Sequence, residues 1–140
     1  MIIIACVDDK NGMMFYGRRQ SRDRVLIEDI LLECTGKKLR MAPYSYALFE
    51  KETDAGILVS EDFLAAACGE DYCFVENGDA MADHLEKVRA VLLYRWNRVY
   101  PADVYFPLNL ADGSWEQKAR EEFQGSSHEK ITREWYERAG

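Results

Sequence analysis

Along the first two thirds of the chain, apolar and polar positions alternate with two different periods, one typical of strands and one typical of helices. Ile2 to Val7 is an uninterrupted apolar run that ends at Asp8, which is typical of a buried strand. From Asp23 to Cys34 the apolar and acidic positions follow helical spacing, and Thr35-Gly36 is a helix-ending signal. The same periods predict strands at Lys38 to Met41, Gly56 to Val59, Tyr72 to Val75 and Arg89 to Trp96, and helices at Tyr44 to Glu50, Glu61 to Cys68 and Asp79 to Val88. Ser60 and Asp79 are the predicted N-caps of the last two helices. After Trp96 we expect only short strands and turns.

Alternating elements followed by strands alone predict an α/β fold. We expect a mostly parallel central sheet with helices on both faces and an antiparallel C-terminal strand, in a single domain over residues 1–140. No segment approaches the roughly 18 uninterrupted apolar residues of a membrane span. The first residues lack the basic leader and cleavage site of a signal peptide. The sequence therefore predicts a cytoplasmic protein with no membrane partner.

The charge distribution narrows the possible ligands. A net charge of −7 disfavours nucleic acid as a partner, because phosphate binding needs a basic surface. One local exception is the arginine-rich segment from Arg18 to Arg24, in which Arg18, Arg19 and Arg22 are candidate ligands for a small anion. The alternative is a solvated loop whose arginines pair with nearby acids. The cysteines form no Cys-x-x-Cys pair and only two histidines are present, so we expect no metal site.

Several motifs occur in an order that resembles the dihydrofolate reductase family. They are Asn11-Gly12, Lys37 to Met41, Phe74-Val75-Glu76-Asn77-Gly78, Ala90 to Trp96, Pro101 to Pro107, Ser114-Trp115-Glu116 and Arg133 to Arg138. The resemblance covers nearly the whole chain and implies the fold of that family. It also implies a family chemistry in which NADPH supplies a hydride and a buried carboxylate on the first helix holds a pterin.

The resemblance places Leu26 at the position of that carboxylate, and leucine has no proton to offer. Asp23, three residues earlier, and Glu28 are the candidates for a relocated acid, with Asp29 a further possibility. Asp23 alternatively serves only as an N-terminal helix acid that is favoured by the helix dipole. The stretch from Glu50 to Gly56, where the family has an arginine for the folate tail, contains none. Folate is therefore not the expected substrate.

The cofactor turns of the family are only partly present. Its Gly-Arg-x-Thr motif is Ala42-Pro43-Tyr44-Ser45 here, so only Ser45 keeps the hydroxyl, and its Gly-Gly turn is Asn77-Gly78. Ser45, Asn77 and Gly78 are thus the candidate cofactor-binding residues and NADPH the possible cofactor, although an Asn-Gly pair is more often just a turn. Tyr94 lies near the hydroxyl residue that orients the pterin carboxylate partner in the family, which makes it a candidate ligand contact.

His128 is on a turn before the last strand, and a lone histidine in a loop is expected at the surface. No Ser-His-Asp or Cys-His arrangement can be argued from the spacing. Three functions stay open. The first is a small-molecule or nucleotide-binding protein that lacks the catalytic acid and the folate-tail arginine. The second is an NADPH-dependent reductase of a folate, pterin-like or other heterocyclic substrate with a relocated acid, and the third is a protein-interaction module with an unknown partner.

Overall fold

The computed structural model describes residues 1–49 and 56–140. In chain order the strands are β1 (Ile2–Val7), β2 (Gly12–Phe15), β3 (Arg18–Arg19), β4 (Leu39–Met41), β5 (Ile57–Val59), β6 (Tyr72–Phe74), β7 (Ala90–Arg95), β8 (Val104–Tyr105), β9 (Trp115–Phe123) and β10 (Ile131–Arg138). The helices are α1 (Arg24–Glu33), α2 (Pro43–Tyr46) and α3 (Phe63–Ala66), and two 3-10 helices cover Gly78–Met81 and Leu85–Lys87.

Seven of the strands form one sheet in the order β5-β4-β6-β1-β7-β10-β9. In this sheet order, β5, β4, β6, β1 and β7 are parallel to their neighbours. β10 is antiparallel to both β7 and β9. This arrangement confirms the predicted α/β fold with a mostly parallel sheet and an antiparallel C-terminal strand. Among the described residues, no helix is long and apolar enough to cross a membrane.

Successive residues of β1 point to opposite faces of the sheet, as the pleat requires. Ile2 and Ile4 pack with the buried stripe of α1, which includes Leu26 and Ile30. The next positions along β1 pack on the other face with α3 and with Met81 of the first 3-10 helix. Both faces of the central strand are therefore covered, which explains why its sequence is apolar throughout.

A second, three-stranded antiparallel sheet has the order β3-β2-β8 and was not predicted. Its β2–β3 hairpin turns at Tyr16 and Gly17, which both have positive φ angles of 53° and 71°. The three residues between β3 and Asp23, Gln20 to Arg22, lead directly into α1. The hairpin thereby places the arginine-rich segment over one end of the main sheet.

Several predicted helices are shorter in the structure. The predicted helix from Asp79 to Val88 consists of the two 3-10 helices, because only Met81 and Val88 of this stretch are buried and no apolar stripe supports a longer helix. Its first cap is the Asn77 side chain, which accepts a hydrogen bond from the backbone of Asp79. The predicted helix from Glu61 to Cys68 is reduced to α3, whose N-cap is Asp62 without a side-chain hydrogen bond, so Ser60 does not cap it.

The end of the chain is also more regular than its sequence predicts. β9 and β10 are nine and eight residues long, so the expectation of only short strands after Trp96 was wrong. β9 is exposed and highly charged along most of its length. It lies at the edge of the sheet, where charged side chains are common. β9 is a strand because it pairs with β10. Its own sequence shows no alternation of apolar and polar residues that would predict this pairing. The predicted helix from Tyr44 to Glu50 is shorter in the structure, because α2 ends at Tyr46 and residues 47–49 form a turn; Glu50 itself lies outside the described residues.

Candidate functional site

A narrow pocket opens at the carboxyl ends of β1 and β6, beside the first turn of α1. This is the edge at which open α/β sheets hold their ligands. Its lining comprises Cys6, Met13, Arg19, Gln20, Ser21, Arg22, Asp23, Leu26, Ile27, Leu48, Phe74, Val75, Glu76 and Trp96. The free volume of about 20 Å³ is space for roughly one water molecule. The walls therefore stand close together in this structure.

Asp23 is the N-cap of α1, so it lies at the N-terminus of the helix, where its sequence position indicates either a relocated acid or an acid favoured by the helix dipole. Its Oδ1 accepts hydrogen bonds from the backbone N–H groups of Val25 and Leu26, at 3.0 and 3.2 Å. The carboxylate also accepts from the backbone N–H groups of Ser126 (3.0 Å) and Ser127 (2.8 Å), although the side chain is fully buried. Burial alone would raise the pKa of Asp23, but these donors outweigh it and hold the pKa well below its usual range. Asp23 is thus an ionised acceptor rather than a proton donor.

His128 lies next to this carboxylate and is 5% exposed, so the prediction of a surface histidine was wrong. Its Nδ1 is 3.0 Å from Asp23 Oδ2, and its Nε2 is 3.1 Å from Ser21 Oγ and 3.0 Å from the hydroxyl of Tyr100. The ring stacks on Trp96 with 4.5 Å between the ring centres. A carboxylate at Nδ1 requires a proton on that nitrogen, which leaves Nε2 as an acceptor for the two hydroxyls.

Gly125 allows the loop before β10 to approach Asp23 this closely. A Cβ atom at Gly125 would lie 2.3 Å from Asp23 Oδ2 and 2.8 Å from the side chain of Ile131. Sequence reasoning missed this residue and the burial of the histidine that follows. The local signal was the run Gly125-Ser126-Ser127, whose small and hydroxyl-bearing residues suit a tight turn around an acceptor.

Asp8 is a second buried carboxylate that the sequence analysis did not assign to the site. It accepts hydrogen bonds from the backbone N–H groups of Lys10, Gly12 and Tyr100 and from Gln20 Nε2. Burial would raise its pKa, but the hydrogen bonds lower the pKa on balance. Asp8 follows the end of β1 and holds two residues in place. It binds Gln20, which lines the pocket, and Tyr100, which lies beside His128.

Gln20 is left with one polar atom unsatisfied. Its Nε2 donates to Asp8 Oδ2 at 3.1 Å and to the carbonyl of Pro101 at 3.3 Å. Its Oε1 is buried and has no hydrogen-bond partner among the described residues. Turning the amide over would set Oε1 against two acceptors, so the hydrogen bonds fix this orientation. Gln20, a residue of the pocket lining, thus carries a buried acceptor without a donor among the described residues.

The three candidate arginines have different environments. Arg19 forms two hydrogen bonds with the carboxylate of Glu76, at 2.7 and 3.0 Å, and its guanidinium lies 4.2 Å from the ring centre of Tyr44. Arg22 lines the pocket, and neither Arg22 nor Arg18 has an ion-pair partner within residues 1–49 and 56–140. Arg18 is not among the lining residues. Only Arg22 therefore offers the pocket an uncompensated positive charge.

The predicted cofactor residues are all engaged inside the protein. Ser45 Oγ donates to Glu76 Oε1 at 2.9 Å, and Asn77 Oδ1 accepts from the backbone of Asp79 at 3.0 Å. Gly78 is buried where a Cβ atom would lie 2.5 Å from the carbonyl oxygen of Tyr105, so its small size serves the contact with β8. Glu76 adds a negative charge to the pocket wall. None of the three predicted cofactor residues carries a positive charge that would pair with a phosphate of NADPH.

The other candidate residues do not line the pocket. Glu28 is exposed and pairs with Arg24 at 3.3 Å. Asp29 binds Arg133 at 2.7 Å and accepts from the hydroxyl of Tyr94 at 2.7 Å, and burial raises the pKa of Tyr94 well above its usual range. Residues 50–55, where the folate-tail arginine was sought, lie outside the described residues. Among the described side chains, no group of three or more His, Cys, Asp or Glu residues is placed to hold a metal ion.

Comparison with known proteins bears on the fold. No protein-family model matches the sequence, and no curated protein matches it either. The structure is similar to that of a dihydrofolate reductase from Enterococcus faecalis complexed with NADP(H), with a TM-score of 0.71. The superposition covers 99% of this chain and 96% of that chain at 9% sequence identity. This likeness shows that the chain has the fold of a dihydrofolate reductase.

Proposed function

We propose that this chain binds a small organic molecule in the pocket beside Asp23. The observation that carries the proposal is the buried, unpartnered Oε1 of Gln20. Leaving such an acceptor unsatisfied costs about 1–3 kcal/mol, and an N–H or O–H group of a ligand would remove that cost. The ligand is therefore expected to carry a hydrogen-bond donor.

Arg22 defines the second feature of the proposed ligand. Its guanidinium has no carboxylate partner in the described part of the chain, and it lines the same pocket as Gln20. The chain carries a net charge of −7, so an anion would be attracted here by this local charge and not by the protein as a whole. We expect a small planar ligand with one anionic group. Because the free volume is about 20 Å³, the exposed side chain of Arg22 would have to move outward to admit it.

An NADPH-dependent reductase of a pterin-like or other heterocyclic substrate is the alternative. The likeness to a reductase complexed with NADP(H) favours it. The internal hydrogen bonds of Ser45 and Asn77 and the carboxylate of Glu76 weigh against it, as does the lowered pKa of Asp23. An acid that donates a proton near neutral pH needs a raised pKa.

The test is a set of NMR titrations of the ¹⁵N-labelled protein with small planar carboxylates that carry ring N–H or amino groups, pterin-6-carboxylate and 4-aminobenzoate among them. The proposal predicts saturable shifts of the Gln20 side-chain amide and of the Trp96 indole. Arg22→Ala should weaken binding about tenfold, the effect of losing one charged hydrogen bond. Arg18→Ala is the matched control and should leave the affinity unchanged.

Two results would overturn the proposal. One is the absence of shifts at the pocket with every carboxylate at millimolar concentration. The other is equal weakening by Arg18→Ala and Arg22→Ala, which would reveal nonspecific attraction to the arginine-rich segment. A parallel titration with NADPH separates the alternative, since saturable micromolar binding of NADPH would favour the reductase.

A further inference from the structure

We propose that Ser21 is a nucleophile activated by His128 and Asp23, and that the pocket accepts a small carboxylic ester. The inference rests on the proposed function, because it assigns a chemistry to the same ligand pocket. Sequence spacing gave no hint of it, since Asp23 and His128 are separated by 105 positions and come together only through the fold.

The base in this arrangement is His128 Nε2. Asp23 Oδ2 lies 3.0 Å from Nδ1 and is ionised, so it holds the proton on Nδ1 and leaves Nε2 as the acceptor for the hydroxyls of Ser21, at 3.1 Å, and Tyr100, at 3.0 Å. Trp96 stacks on the imidazole and prevents it from rotating. A carboxylate, an imidazole and a hydroxyl in this sequence are the parts of a serine nucleophile and its base.

We assign the reaction to Ser21 rather than Tyr100 because Ser21 is a lining residue of the pocket and Tyr100 is not. Both hydroxyls lie near Nε2, but Ser21 is a lining residue and is partly exposed, whereas Tyr100 is not part of the lining. Ser21 is also held from both sides along the chain. Gln20 is fixed by Asp8 and by the Pro101 carbonyl, and Asp23 is fixed as the N-cap of α1. Such positioning reduces the entropy that a reacting group must lose.

The proposed reaction is ester hydrolysis in two balanced steps. Ser21 Oγ bonds to the ester carbonyl carbon while its proton passes to His128 Nε2, and the bond to the alcohol breaks as the alcohol takes that proton. Water then attacks the acyl-serine, gives one proton to His128 and releases the carboxylic acid as Ser21 recovers its proton. Asp23 is a positioning residue that stabilises the imidazolium formed in each step.

We assign the developing negative charge on the ester oxygen to two backbone N–H groups of lining residues. The N–H groups of Ser21 and Arg22 donate no hydrogen bond to another group within residues 1–49 and 56–140. Donors of this kind stabilise the oxyanion of an acyl-transfer reaction.

Labelling with a fluorophosphonate tests the proposal directly. The serine oxygen bonds to phosphorus and fluoride leaves, with the serine proton as its counterpart. Intact-mass spectrometry should show one adduct per chain and peptide mapping should place it on Ser21. Ser21→Ala should lose the adduct, and hydrolysis of p-nitrophenyl acetate should fall by about 100-fold or more to the rate without protein. Ser114→Ala, at an exposed serine outside the pocket lining, is the matched control and should keep both activities.

Failure would be distinguishable from failure of the proposed function. Binding of planar carboxylates without labelling, in a wild-type protein whose circular dichroism shows it folded, overturns the nucleophile and leaves the binding pocket intact. If the folded wild-type protein shows neither binding nor labelling, both the nucleophile and the proposed function are overturned. Labelling that persists in Ser21→Ala places the reactive group elsewhere and also overturns the inference.

Discussion

The carboxylate of Asp23 and the imidazole of His128 lie 3.0 Å apart in the interior, joining the first turn of α1 to the loop before the last strand. The side chains are 0% and 3% exposed. The contact ties the arginine-rich segment to the antiparallel end of the sheet and aligns the histidine with the pocket. Most of the behaviour that we expect of this protein follows from this pair.

Removing the Asp23 carboxylate should destabilise the protein strongly. Asp23→Ala removes the helix cap and leaves the partly buried N–H groups of Ser126 and Ser127 without their acceptor. Each such loss costs about 1–3 kcal/mol, so we expect the free energy of unfolding to fall by about 3 kcal/mol or more. Glu28→Ala, on the exposed side of the same helix, is the control and should change it by less than about 0.5 kcal/mol. Equal effects of the two variants in urea unfolding would show that Asp23 is only a surface acid.

The stability should depend on pH in the acid range. The folded pKa values of Asp23 and Asp8 are lowered, so each carboxylate contributes stability that is present above its unfolded pKa of about 3.9 and lost as the pH falls below it. The free energy of unfolding should therefore be flat above about pH 5 and decline below about pH 4. Asp23→Asn should be less stable at pH 7 and show a shallower decline. Urea unfolding at pH 7, 5 and 3 measures this decline. If the free energy of unfolding of Asp23→Asn fell with pH as steeply as that of the wild type, the assignment would be contradicted.

Arg19 and Arg18 should differ although they are neighbours in the sequence. Arg19→Ala removes two charged hydrogen bonds to Glu76, a pair whose side chains are 19% and 10% exposed. We expect a loss of about 2 kcal/mol in the free energy of unfolding. Arg18→Ala, which removes no ion pair within the described residues, should be near neutral. A double-mutant cycle with Glu76→Gln measures the coupling, and a coupling near zero would mean that the pair is only a surface contact.

Gly125 should tolerate no added side chain. In Gly125→Ala the new Cβ would meet Asp23 Oδ2 at 2.3 Å and Ile131 Cδ1 at 2.8 Å, which forces the loop away from the carboxylate. Overpacking of this kind costs about 1–3 kcal/mol. Ser126→Ala, one position along, removes only an exposed hydroxyl bonded to Asp23 and to Arg24 N and should cost about 1 kcal/mol. Thermal unfolding that ranks Ser126→Ala as the more damaging change would contradict the close approach.

The elements set by local chemistry were predictable from the sequence. β1 was predicted to the residue because a strand that is buried on both faces must be apolar throughout. The helix from Asp23 to Cys34 became α1 with Asp23 as its cap, because capping is decided within the first turn. The α/β fold followed from the order of such elements.

The parts set by distant contacts were not predictable in this way. The burial of His128 depends on Trp96 and Asp23, and nothing in its own neighbourhood encodes their positions. β9 is charged and exposed, so only its pairing with β10 reveals it as a strand. The pocket is likewise assembled from β1, β6, the β2–β3 hairpin and α1. The oxygen of Gln20 is left without a donor only in the folded chain, where the nitrogen of the same amide donates to Asp8.

The direction of the proton on His128 tests the account most directly. Long-range ¹H–¹⁵N correlation spectra of the imidazole at pH 8.5 distinguish a protonated Nδ1 from a protonated Nε2. The account predicts a proton on Nδ1, shared with Asp23, and a free lone pair on Nε2 facing Ser21. Asp23→Asn, where it remains folded, should weaken that preference. A proton on Nε2 in the wild type would contradict the arrangement, since neither the capping carboxylate nor the proposed base could then act as described.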